Sequence, residues 1–188
     1  MRGSGSDPSS ERAFFTLAAP NPRNDRVCAF AAALESGAAF DALVDPEAPF
    51  SQVNAAIYGV SSDSVYAKPN FRGVWEGGLG AFLSGKVLVG YNADFDLRIL
   101  AKTLEAYGIE LPVWRFVDLL PAARRLWDLS CYALSDVMAE LGAPWRGETL
   151  SDTVAATRFV YDAIKREEPE LLTPKYWIFT EEKTKLRW

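Results

Sequence analysis

Histidine is absent from all 188 residues, so no imidazole is available as a general base or metal ligand. Cysteine is nearly absent. Cys28 and Cys131 lie far apart with no metal-type spacing, which excludes a thiolate metal site and a disulfide framework and fits a reducing compartment. No apolar run approaches eighteen residues and no signal-peptide pattern is present, so the expectation is a cytoplasmic protein with no membrane partner. Positive charge is in short supply as well. Twenty Lys and Arg face twenty-five Asp and Glu, and the net charge of −5 repels a phosphate backbone, so any nucleic-acid contact must be local. At 49% hydrophobic and 24% charged, the chain has the makings of one globular domain with a real core.

The strongest local signal runs from Val87 to Tyr107. Val87, Leu88 and Val89 form the short continuous apolar run of a strand covered on both faces, and Gly90 lets the chain turn. Asn92 stands at an N-cap position, and Leu97, Leu100, Leu104 and Tyr107 recur at helical spacing with Phe95 and Ile99 beside them. Asp94 and Asp96 therefore fall in the first turn of a helix at the carboxyl end of a strand, where open α/β sheets place ligand chemistry.

Elsewhere the pattern predicts strands over Ala13–Leu17, Val27–Leu34 and Ala38–Val44, an antiparallel opening punctuated by Pro20–Asn24 and Glu35–Gly37. A loop over Gln52–Ser64 follows, then a helix containing Phe71, Val74, Trp75, Leu79, Phe82 and Leu83, weakened by Gly77, Gly78 and Gly80. No Lys-Ser/Thr follows those glycines, which rejects a phosphate loop. After Pro112 come a strand over Trp114–Leu119 and helices beginning near Pro121, Tyr132 and Leu150. The domain expectation is a disordered leader over 1–12, one domain over 13–166 and an aromatic, basic tail over 167–188. The tail carries Tyr176, Trp177, Phe179 and Trp188 among Lys175, Lys183, Lys185 and Arg187, a composition suited to stacking bases or to packing on the domain or a partner.

The run Val-Gly-Tyr-Asn-Ala-Asp-Phe-Asp-Leu-Arg-Ile-Leu resembles the second motif of the DnaQ-like 3′-to-5′ exonucleases, whose usual form is Gly-His-Asn-Ala-x-Phe-Asp. Tyr91 stands at the His position and Asp96 at the metal-holding Asp. Ile57-Tyr58-Gly59-Val60 resembles the family's Ile-His-Gly-Ile loop, again with Tyr for His, and Asp118 matches the Asp of an Asp-Thr-Leu segment. The resemblance implies an α/β fold, a ribonuclease-H-like mixed sheet with its first three strands antiparallel and flanked by helices. It also implies phosphodiester hydrolysis by two divalent metals held by four acids.

The acids can be checked one by one. The family's first motif is Asp-x-Glu at the end of the first strand; its Asp position here is Thr16, Leu17 or Ala18, and no acidic residue occurs between Ala13 and Asn24 in any register. The third motif, His-x-Ala-Leu-x-Asp-Ala, meets Gly147-Glu148-Thr149-Leu150-Ser151-Asp152-Thr153: Asp152 matches the ligand, Gly147 stands at the base position, and Glu148 replaces the Tyr of the alternative branch. Only Asp96 and Asp152 remain. Each also has a purely structural reading, Asp96 as a complement to the helix dipole and Asp152 as partner of Thr149 in a helix-start box.

Two carboxylates suffice for at most one weakly held Mg or Mn ion and no cofactor is required. The expectation is a pseudo-exonuclease serving as a binding or scaffold module for a protein partner or a single-stranded nucleic acid end, with Tyr91, Asn92 and Phe95 as nucleic-acid contacts and a homo-oligomer left open. The competing reading is a divergent, active, metal-dependent exonuclease on single-stranded DNA or RNA that draws acids from Asp25 or Glu148. A third is a structural subunit that holds a protein through its tail and outer helices.

Overall fold

A computed structural model describes residues 10–179. Strands β1 (Arg12–Ala18), β2 (Ala29–Leu34) and β3 (Ala39–Leu43) form the antiparallel opening. Strands β4 (Val87–Gly90) and β5 (Arg115–Asp118) add in parallel on the other side of β1, and β6 (Lys175–Tyr176) closes that side antiparallel to β5. The sheet order is β3-β2-β1-β4-β5-β6, the mixed α/β sheet that the sequence implies. Among the described residues no helix is long and apolar enough to cross a membrane.

Both sheet faces are covered, and the pleat of β1 distributes its side chains between them. Ala13, Phe15 and Leu17 join Leu97, Leu100 and Leu104 of α5 (Ala93–Ala106) in one core. Phe14 packs in the other against Val160 and Tyr161 of α8 (Leu150–Glu167). The alanines of β2 let α8 approach closely, and Arg158 of α8 lays its guanidinium over the Phe14 ring. Phe95, grouped by spacing with the apolar face of α5, instead points outward and is 39% exposed.

Three segments differ from the sequence expectation. Gln52–Ser64 is not a loop: it holds α1 (Gln52–Tyr58), capped by the Ser51 hydroxyl, and leads into α2 (Ser62–Val65), capped by Ser61. The pattern was hidden because α1 buries only Asn54 and exposes Val53 and Ile57. The glycine-rich helix is divided into α3 (Phe71–Val74), a π-helical turn (Trp75–Leu79) and α4 (Gly80–Leu83), with Gly78 at φ 144°, a conformation open to glycine. The start of the expected tail is built into the domain. Pro169–Leu172 forms a 3₁₀ turn, β6 joins the sheet, and Trp177 is buried against Trp114 while its indole N–H donates to Asp94 Oδ1 at 2.9 Å. Lys183, Lys185, Arg187 and Trp188 lie outside the described residues.

The cap of α5 also differs. Asn92 occupies the N-cap position in the left-handed region (φ 63°), and its side chain caps nothing. Asp118, at the end of the neighbouring strand, does so instead: its Oδ1 accepts from Asn92 N–H (3.0 Å) and its Oδ2 from Asp94 N–H (3.4 Å). The same Oδ1 accepts from Leu120 N–H at 3.1 Å and so caps α6 (Leu119–Leu126). One carboxylate thus satisfies two helix starts. Asp118→Ala is expected to cost about 2–3 kcal/mol in urea unfolding, because several N–H groups lose their partner at once, with Asp118→Asn retaining part of the loss.

Glu11, just before β1, accepts from Ser36 N–H (3.0 Å) and pairs with Lys86 (3.0 Å), tying the β2–β3 turn to the residue before β4. Its contacts with Ser36, then with Lys86, hold its carboxyl down at about 2. A depressed carboxyl contributes stability that is present above its ordinary value and is lost as pH falls through the folded value. Glu11→Gln is therefore expected to flatten the fall in melting temperature between about pH 4.5 and 2, an effect that added salt should weaken.

Candidate functional site

The carboxyl ends of β1 and β4 and the start of α5 meet where the Thr16 hydroxyl donates to Asp96 Oδ2 at 3.5 Å. Of the positions left open by the sequence, Thr16 is the one whose side chain reaches Asp96, with Ala18 two residues on. Burial pushes the Asp96 carboxyl well above its usual value; the Thr16 hydrogen bond opposes that shift and the nearby negative Asp118 adds to it. Ala18 is fully buried in an apolar cluster with Cys28, Ala29, Val60 and Val65, and Phe50, Tyr58 and Leu150 pack against it. The Cys28 thiol donates to the Ala18 carbonyl at 3.3 Å and is pushed up to about 12 by burial. Tyr58, the last residue of α1, has its phenol raised by burial and then by Asp96 and Cys28.

The third-motif segment forms the helix-start box of α8. Thr149 Oγ1 accepts from Asp152 N–H (3.1 Å), while Asp152 Oδ2 accepts from Thr149 N–H (3.0 Å) and Glu148 N–H (3.1 Å). No hydrogen bond links Asp152 to Asp96 among the described residues. Glu148 is exposed. Gly147 sits at φ 62°, and a Cβ there would fall 2.6 Å from the Trp145 indole, so the base position has no room for a side chain while that indole is in place.

The three nucleic-acid candidates have different surroundings. The half-buried Tyr91 donates its hydroxyl to the Tyr132 carbonyl at 2.6 Å and is pushed up to about 12, chiefly by burial. Asn92 is exposed, one turn before Asp96, and Phe95, next to Asp96, is 39% exposed. Asp94, in the first turn of α5, has both oxygens engaged: its Oδ2 receives both Nε (2.9 Å) and Nη2 (2.8 Å) of Arg98, and its Oδ1 receives Trp177. Neither this use of Asp94 nor the double cap made by Asp118 has a local signal in the sequence.

No family model matches the chain. It is 29% identical over 126 residues to the PolC-type DNA polymerase III of Thermotoga maritima, a match covering 65% of this chain and 9% of that protein. The chain thus spans about a tenth of the length of the curated relatives it matches. Among solved structures, the zinc-bound exonuclease I–single-stranded DNA complex of E. coli aligns with TM-score 0.74 at 17% identity, over 86% of this chain and 42% of that one. The nuclease domain of 3′hExo bound to rAMP, described as a DEDDh family member, aligns with TM-score 0.67 at 14% identity, over 90% and 96%. Exonuclease X in complex with 5′-overhanging duplex DNA gives 0.64 at 16%, over 86% and 97%. The chain has the DnaQ-like exonuclease fold.

A DnaQ-like centre with two metals needs carboxylates placed about both ions, which lie about 4 Å apart. The residues present do not fit that pair. Strand β1 carries no acidic residue, and one oxygen of Asp152 already accepts two N–H groups. No group of three His, Cys, Asp or Glu side chains able to hold a metal occurs among the described residues. The surroundings of Ala18 can be probed directly. Ala18→Glu is expected to destabilise the fold by about 3 kcal/mol or more in denaturant unfolding, since an unpaired carboxylate would replace a fully buried methyl in an apolar cluster. A cost below about 1 kcal/mol would show that the site has room for an acid.

Proposed function

We propose that the chain is a catalytically degenerate DnaQ-like domain, a pseudo-exonuclease that serves as a binding or scaffold module for a protein partner or a single-stranded nucleic acid end. The observation that carries this reading is the apolar closure around Ala18, where a metal-binding carboxylate would have to stand. Gly147 at the base position supports it, since loss of a positioned base typically costs roughly 10²- to 10⁴-fold in rate. Asp96 and Asp152 hold at most one weakly bound Mg or Mn. Binding of a nucleic-acid end draws on the solved neighbours complexed with DNA and on the exposed Asn92 and Phe95.

The competing reading, a divergent active exonuclease, has one observation in its favour. Glu148 is exposed two positions before the first turn of α8, and its side chain has no partner among the described residues.

End-labelled single-stranded DNA and RNA, incubated with purified protein and Mg or Mn, are expected to stay full length. Asp96→Ala and Asp152→Ala should leave that result unchanged, with Asp152→Ala losing about 0.5–2 kcal/mol of stability through its helix cap. Chelator-sensitive shortening from the 3′ end that disappears in Asp152→Ala would overturn the proposal in favour of the active enzyme.

A further inference from the structure

Strand β3 is an open edge of the sheet. Val44 N–H donates to the Cys28 carbonyl (2.9 Å) and Leu34 N–H to the Ala38 carbonyl (2.8 Å). These bonds flank the Ala29–Leu43 and Ala33–Ala39 pairs, which makes both pairs the non-hydrogen-bonded kind. By alternation the main-chain N–H and C=O groups of Ala39, Asp41 and Leu43 point away from β2, and they have no protein partner among the described residues.

The side chains of those three residues lie on the sheet face that carries α8. A cavity of about 380 Å³ opens there, walled by Leu43, Tyr58 and Leu150 and bordered by Asp41 and Glu148. Asp41 accepts from the Ser151 hydroxyl at 2.7 Å. Among the described residues neither Lys nor Arg lines the cavity. An open backbone edge therefore runs beside an apolar hollow with two carboxylates.

We infer that β3 docks an extended peptide segment of a protein partner, which adds a seventh strand to the sheet and places a Lys or Arg against Asp41 and Glu148. Main-chain bonds to β3 supply affinity and alternate side chains supply selectivity. Residues two apart on the incoming strand share a face, so the recognised pattern is an apolar residue over Leu43 and Tyr58 with a basic residue two positions away. Nucleic acid does not suit this edge, because two carboxylates without a cation repel phosphate. A second copy of the chain does not suit it either: the antiparallel register that pairs all three outward residues sets Asp41 against its own copy. The inference names a partner class for the binding-module reading and rests on that reading, so nuclease activity and peptide binding must be measured separately.

Fluorescence anisotropy with an array of labelled peptides of about seven residues tests it. The array carries Lys, Arg or Glu at the central position, with the apolar residues two positions away varied systematically. Basic peptides are expected to bind at least about tenfold more tightly than their Glu counterparts. Asp41→Lys should reverse that order, and the milder Asp41→Asn should abolish it. N-methylation of the peptide should eliminate binding at the alternate positions whose N–H faces β3 and leave binding intact at the others. Amide NMR shifts caused by a bound peptide should centre on Ala39, Asp41 and Leu43. Equal binding of Lys and Glu peptides, or no binding by any basic peptide, would overturn the inference. So would shifts of the same amides on adding oligo-dT, or dimerisation through β3 in sedimentation. Failure of the peptides with intact DNA and RNA substrates removes only the docking edge, whereas 3′ trimming removes the pseudo-exonuclease reading whatever the peptides do.

Discussion

The carboxylate of Asp118 holds the site end of the molecule together. Helices α5 and α6 begin at the ends of adjacent parallel strands, and each start leaves main-chain N–H groups without an intrahelical acceptor. Asp118 supplies that acceptor to both. The shared cap fixes the direction in which α5 leaves the sheet, and that direction sends Leu97, Leu100 and Leu104 into the core and Asp96 toward Thr16. Gly90 completes the arrangement. A Cβ there would lie 3.0 Å from Ala93 and 3.3 Å from the Phe15 ring, so the close approach of α5 to the sheet depends on a residue without a side chain.

The sequence made the central strand and helix legible because their signals are local: an uninterrupted apolar triplet at Val87–Val89 and leucines at helical spacing. The Thr149–Asp152 box was legible for the same reason, as a spacing of three before an apolar stripe. Features that depend on distant segments were not. Asp118 reads as a residue near a helix start, and nothing in its neighbourhood tells that it also reaches Asn92 and Asp94 across the sheet. Helix α1 was hidden by exposed Val53 and Ile57, and β6 by its length of two residues. At the site, the lack of first-motif acids was plain from composition. The cluster that fills the space drew Cys28, Val60, Val65 and Leu150 from four separate segments, and only the fold brings those together.

The site also bears on how stability and function trade against each other. A cleft built to hold cations keeps carboxylates close together and partly desolvated, which costs folding free energy. Around Ala18 the same region is packed with aliphatic, aromatic and thiol groups, which contribute burial. Asp152 likewise serves the start of α8 and Asp94 serves Arg98 and Trp177. Asp96 is the exception: it is desolvated, its hydrogen-bond partner is a hydroxyl at 3.5 Å, and the charge that acts on it, Asp118, is of its own sign.

The order of strands in the sheet has a consequence for synthesis. On one side of β1 the spatial order β1-β4-β5-β6 is also the order in which the chain is made, while the β2–β3 hairpin forms on the other side from residues made immediately after β1. Each new strand leaving the ribosome therefore meets a neighbour already in place, and no later strand has to insert between two earlier ones. Trp114 is the place where this progression waits. Its indole packs against that of Trp177, more than sixty residues later in the chain, so this part of the core is completed only when the last described segment has folded back.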